Sequence, residues 1–268
     1  MKKLLLVLFL LCAAGLGGGL FYYYEFETPE KQVSLKVEDD LKYGFLDEVL
    51  KPYHFGRDKH QFFYENFKEL LEGDSLLLLL KSCGCEEHIL KMESSERVKY
   101  LLSLQLRMML DNLNSLSSEE LLDFFQVYEK FFHILPPSKC RALRKQEGEI
   151  GQYFNLENYL RAYRNMSYSK TKSSFHSLRK SLEQAEDGDK ARFAKSRREE
   201  LMALMDEVYS QYYGTAENSR NRVVLKALTN EKSQDIVACT YFKFLYRAVI
   251  NSKDDKTRNT IIASFHEL

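Results

Sequence analysis

Apolar side chains along most of this chain recur at helical spacing. In residues 60–71 Phe63, Phe67, Leu70 and Leu71 lie on one stripe, and Gly73 marks the stop. Five consecutive leucines at 76–80 are too few to span a bilayer and predict a buried turn of helix. Ser94 is placed to cap a central helix reaching about residue 113. Val98, Leu101, Leu102, Leu104, Leu106, Met108, Met109 and Leu110 make it apolar on nearly every side, as an element surrounded by others would be. Ser117-Ser118-Glu119-Glu120 has the form of a capping box, in which the Ser117 hydroxyl accepts from the Glu120 amide and the Glu120 carboxylate reaches back. Leu121, Phe124, Phe125, Tyr128, Phe132 and Leu135 follow at helical spacing until Pro136-Pro137 ends the run.

The second half reads the same way. Asn155 caps a predicted helix to about residue 166, a Ser- and Lys-rich helix runs to about 184, and Glu186-Asp187-Gly188-Asp189 makes a turn. Leu201, Leu204, Met205, Val208 and Tyr212 form the stripe of a long helix with Gly214 at its end. Further helices are expected at about 216–228, 233–251 and 255–266. One stretch departs from this: residues 33–37 alternate with period two and predict a short, isolated strand. The fold class expected is therefore all-α, a multi-helix bundle or array, and no internal repeat is evident.

The first twenty-four residues change the picture. Lys2 and Lys3 precede an uncharged stretch at 4–24, which as a helix would reach roughly 30 Å, the thickness of a bilayer core. Glu25, Glu27 and Glu30 follow it, and the positive-inside bias then leaves the amino terminus in the cytoplasm and the rest outside. Phe21 and Tyr22 to Tyr24 fall where an interfacial aromatic belt sits. This predicts a single-pass inner-membrane protein with a periplasmic domain. The alternative is secretion into the periplasm after cleavage near Cys12-Ala13-Ala14-Gly15, a pattern of small residues that signal peptidase can cut. Gly15 and Gly19 are spaced to let two such helices approach as a homodimer.

Composition adds that few breakers interrupt the helices: the chain has four prolines and twelve glycines, four of the latter within residues 15–19. Net charge is zero but unevenly spread, 13 basic against 22 acidic residues at 25–135 and 24 against 17 at 136–268. The expected organisation is a membrane anchor or signal segment at 1–24, an acidic helical lobe at 25–135 and a basic helical lobe at 136–268, the two lobes free to pack as one domain.

Beyond Cys12 there are four cysteines, an even set that in an oxidising compartment suggests disulfides. The pairing expected is Cys140 with Cys239, against the alternative of two buried free thiols. Cys83 and Cys85 flank one glycine beside Glu86, Glu87 and His88. That pair can exchange with substrate disulfides, contribute to a metal site, or form a plain structural bond in a loop. The two carboxylates would oppose thiolate formation, and a zinc site lacks an evident fourth ligand, so neither catalysis nor a metal is the main expectation.

The six histidines form no metalloprotease pattern, and His133, at the edge of its helix stripe, reads as a core or boundary residue. No phosphate-cradling glycine loop, nucleophile elbow or dinucleotide fingerprint occurs, and no cofactor is implied. Residues 161–198 carry Arg161, Arg164, Lys170, Lys172, Arg179, Lys180, Lys195, Arg197 and Arg198 with interleaved aromatics. Such a face suits anionic lipid or polymer, though a solvated helix face is the commoner meaning of a charge run. Nucleic acid is not expected across a membrane from the cytoplasm. The function expected is a non-enzymatic, membrane-anchored envelope protein that binds another envelope protein through a helical surface. Its alternatives are a thiol-disulfide oxidoreductase using Cys83 and Cys85, and an adaptor binding polyanion or lipid through residues 161–198.

Overall fold

The computed structural model describes residues 28–144, 153–183, 197–213 and 234–264. Within them the chain is helical throughout, with thirteen α-helices, two short 3₁₀ turns and no strand. Among the described residues no helix is long and apolar enough to cross a membrane. The stretch at 4–24 and the helix expected at 216–228 lie outside them.

Two compact units are present. Of the described residues, the first comprises 28–52 together with His60–Leu104, and the second comprises Tyr53–Lys59 and those from Gln105 onward. Apart from the Tyr53–Lys59 segment, the chain passes from the first unit to the second after Leu104.

In the first unit, α1 (Pro29–Lys42) begins with Pro29 in the first turn, where proline's missing amide costs nothing. The expected strand at 33–37 lies inside this helix. Val33 and Val37 are four residues apart, so a pair that alternation reads as one face of a strand is equally one stripe of a helix, and both are fully buried. Gly44, at φ +81°, makes the turn into α2 (Phe45–Leu50) in a conformation that a side chain would strain. α3 (Arg57–Leu70) buries Phe62, Phe63 and Phe67, and α4 (Gly73–Cys83) buries Leu76, Leu79 and Leu80 while Leu78 stays exposed. A five-residue helix, α5 (Glu86–Leu90), then leads to α6 (Ser94–Asp111). Ser94 is the first residue of α6 rather than the residue before it, and its hydroxyl accepts from Arg97 Nη2 at 3.4 Å. Arg97 and Asp40 form a buried ion pair that ties α6 to α1.

The second unit is organised about α7 (Ser118–Ile134), which starts at the expected capping box. Ser117 Oγ accepts from the Glu120 amide, and Glu120 Oε2 accepts from the Ser117 amide at 2.9 Å. Its aromatic residues stack into their neighbours: Phe131 lies 4.1 Å from Phe154 and Phe132 4.9 Å from Phe242, ring centre to ring centre. α8 (Pro137–Arg144) packs against α12 (Gln234–Ile250), and α9 (Leu156–Arg164) and α10 (Tyr168–Glu183) both lie on α7. Asn155 caps α9 as expected, accepting from the Asn158 amide at 2.9 Å.

α10 packs on α7 and buries Thr171, Ser174, Phe175, Leu178 and Ser181. The hydroxyls are tolerated there because they find carbonyls: Ser181 Oγ donates to Met109 O at 2.7 Å and Thr171 Oγ1 to Ser167 O at 2.9 Å. α11 (Arg197–Tyr213) and α13 (Asp255–Ser264) complete the unit. α11 buries Leu201, Met205, Val208 and Tyr209, while Tyr212, expected on the same stripe, is exposed.

Candidate functional site

The segment between the 3₁₀ turn Lys51–Tyr53 and α3 is short and turned in a way that only part of its sequence explains. Tyr53 is buried and stacks on Phe55, with ring centres 5.9 Å apart, which pins the loop. Burial pushes the Tyr53 phenol above its ordinary pKa, and Glu157 adds to that. His54 between them has φ +48°, the left-handed region in which histidine occurs more often than most side chains but still at some cost in energy.

Lys59 fixes this loop to α9. Its Nζ donates to Tyr163 O at 2.9 Å, to Arg164 O at 3.1 Å and to Met166 O. These are carbonyls at and just past the end of α9, where the helix leaves its last acceptors unpaired and a cation is favoured by the dipole. Partial burial draws the Lys59 ammonium below its usual pKa.

The result is a cleft of about 370 Å³ lined by His54, Phe55, Gly56, Arg57, Asp58, Lys59, Arg164 and Tyr168. Lys59 is occupied by carbonyls. The Arg57 and Arg164 guanidiniums, both exposed, have no hydrogen bond or ion pair among the described residues. Asp58 is the one carboxylate in the lining. Chemically, the cleft offers positive charge and planar donors, with Phe55 and Tyr168 also in its lining.

The other basic residues expected at 161–198 do not form one free face. Arg161 pairs with Glu157 along α9, and Lys180 pairs with Glu120 across to α7. Lys170 and Lys172 are exposed on α10, and Arg179, half-buried, already has an interaction of its own. Lys195 lies outside the described residues, as do the side chains of Arg197 and Arg198. Arg164 is thus the member of that set that reaches the cleft. Its companions His54 and Arg57 went unnoticed in the sequence, where no spacing links them to residue 164.

The cysteines fall into two pairs. Cys140 Sγ and Cys239 Sγ are 1.96 Å apart, with Cα atoms at 5.1 Å, joining α8 to α12. Cys83 and Cys85 are likewise at bonding distance, with Cα atoms at 5.2 Å. Gly84 between them, at φ +58°, ends α4 in the left-handed conformation that glycine provides. Both sulfur-bearing residues are half-buried. His88 packs edge-on against Tyr100, with ring centres 5.4 Å apart. Among the described residues no three His, Cys, Asp or Glu side chains group as a metal site would.

His133 is exposed at the edge of α7, with Nδ1 2.9 Å from Lys243 Nζ. Partial burial, then the positive charges of Lys243 and Lys130, lower its pKa. No family model, curated protein or solved structure matches the chain.

Proposed function

We propose that the chain is a non-enzymatic, membrane-anchored envelope protein that binds another envelope protein through a helical surface. Residues 4–24 are the inner-membrane anchor in this reading, the amino terminus is cytoplasmic and the helical units are periplasmic. The observation that carries it is the pairing of all four cysteines beyond the leader at bonding distance. Two such pairs suit an oxidising compartment and would be kept as thiols in a reducing one. The helical surface has apolar points for a partner: Leu35 on α1 and Leu78 on α4, helices that pack on each other, are 40% and 45% exposed.

The test is made in intact cells. Thiol labelling without reductant leaves the four cysteines unlabelled, the product stays in the membrane fraction after alkaline extraction, and photo-crosslinkers at Leu35 or Leu78 trap one discrete envelope protein. Recovery from the soluble cytosolic fraction with the thiols labelled overturns the reading.

A second reading is favoured by the Cys83 and Cys85 geometry: a thiol-disulfide exchange site at the end of α4. A bond closing a ring this small contributes only about 1.6 kcal/mol in the chain-entropy treatment, about a third of that from a loop of roughly 100 residues, so structural stabilisation is a weak reason for it. Insulin reduction by the wild type and by Cys83→Ser separates the readings; equal rates eliminate exchange at this pair.

A further inference from the structure

The cleft between the loop at 54–56, the first turn of α3 and the end of α9 has more basic than acidic residues in its lining. Arg57 and Arg164 come from distant parts of the sequence, and the Lys59 bonds to the end of α9 are what hold them to one cleft. Two arginines and a lysine line this cleft with one carboxylate, which leaves local positive charge that an anion can neutralise. Solvated basic residues on a helix face spread apart; here they converge on a concavity with Phe55 and Tyr168 in its lining. Its volume is near the lower end for small-ligand sites.

We propose that this cleft binds a phosphate-class dianion, held by the forks of Arg57 and Arg164 with His54 beside them. Two uncommitted guanidiniums are matched by two negative charges, whereas a single carboxylate leaves one of them unneutralised. Guanidinium forks also fit phosphate oxygens two at a time. The dianion can belong to a soluble phosphoester or to a lipid headgroup, since the chemistry recognised is the same. Lys59 sets the shape of the site by holding the loop to α9, and is a positioning residue.

The test titrates inorganic phosphate into the full chain in nonionic detergent at low salt, followed by calorimetry. Saturable binding at one site is expected, with acetate at matched ionic strength binding at least about tenfold more weakly, because it lacks the second charge. Arg57→Gln and Arg164→Gln each weaken phosphate by about tenfold or more, the effect of losing charge-assisted hydrogen bonds. Both positions are exposed, so the variants retain the helical circular-dichroism spectrum and melting temperature of the wild type. Lys170→Gln with Lys172→Gln removes twice the charge of either arginine variant, from α10 outside the cleft, and leaves the affinity unchanged. Doping the micelles with phosphatidic acid identifies the source: competition with phosphate supports a lipid headgroup, and no competition supports a soluble phosphoester. The proposal is overturned by non-saturable binding, by acetate binding as tightly as phosphate, or by the α10 control weakening phosphate as much as the arginine variants do.

Discussion

Arg97 and Asp40 meet side by side, Nε 2.6 Å from Oδ2 and Nη2 3.2 Å from Oδ1, with both residues almost wholly buried. Arg97 Nη1 also donates to Met92 O at 2.8 Å and Ile89 O at 3.3 Å, so one guanidinium links α1, α5 and the start of α6. Removing one partner strands a charge in the interior. Asp40→Ala is therefore expected to lower stability by about 3–5 kcal/mol, and Asp40→Leu with Arg97→Met to recover much of that loss. Urea denaturation midpoints measure both; a single-variant loss under about 1 kcal/mol would show the pair to be solvated.

The two cysteine pairs differ in what their loops contribute. Cys140 and Cys239 are 99 residues apart, Cys83 and Cys85 two. Reduction of the long-range pair is expected to lower stability by up to ~4.7 kcal/mol, and of the short one by about 1.6 kcal/mol. Thermal melts of Cys140→Ser and Cys83→Ser, each with and without reductant, check the order. A larger fall for Cys83→Ser would contradict the loop-entropy account.

The features legible in the sequence were those whose cause is local. Ser117 and Glu120 announce a cap because the bonds they make lie within four residues, and Asn155 does the same for α9. Cys140 and Cys239 were expected as a pair, and the structure brings them together. What failed had a non-local or ambiguous cause. Val33 and Val37 satisfy both periods over five residues, and only burial against other helices decides between them. The serines of α10 give no sign in the sequence that the Phe124 and Met109 carbonyls lie opposite Ser174 and Ser181. The cleft was invisible because His54 and Arg57 meet Arg164 through the Lys59 anchor, a contact between stretches with no shared pattern.

Glu120 carries a pH dependence. The Lys180 ammonium, and then hydrogen bonds from Ser117, hold its carboxyl down at about 2. A depressed folded-state pKa means that the stability it contributes is complete above the unfolded carboxyl pKa and is lost as pH falls toward about 2. Lys180 is half exposed, so the pair and cap together contribute on the order of 1 kcal/mol. Glu120→Gln keeps the capping geometry and loses the ion pair, so its deficit at neutral pH should shrink as pH falls through this window. A deficit independent of pH would assign the effect to the cap.

Tyr159 is 2% exposed, and its hydroxyl has no hydrogen-bond partner among the described residues. Burial, reinforced by the Tyr128 and Tyr163 phenols, pushes its pKa well above the ordinary value. Tyr159→Phe removes an unsatisfied polar atom and keeps the ring stack on Phe124, so it should be neutral or stabilise by up to about 1 kcal/mol. Tyr163→Phe breaks a 3.4 Å contact to Ser174 and should cost up to about 1 kcal/mol. Chemical denaturation of the two variants side by side gives the comparison; a clear loss for Tyr159→Phe would reveal a partner for its hydroxyl.

The Cys140 to Cys239 link also decides how the chain survives damage. It joins α8 to α12, so with the bond made, a protease cut anywhere between those positions yields two pieces that remain one molecule. A nicked product would migrate as intact on a gel run without reductant and fall into fragments when reduced. A protease would then need a second cut within that loop, or one outside it, to release anything.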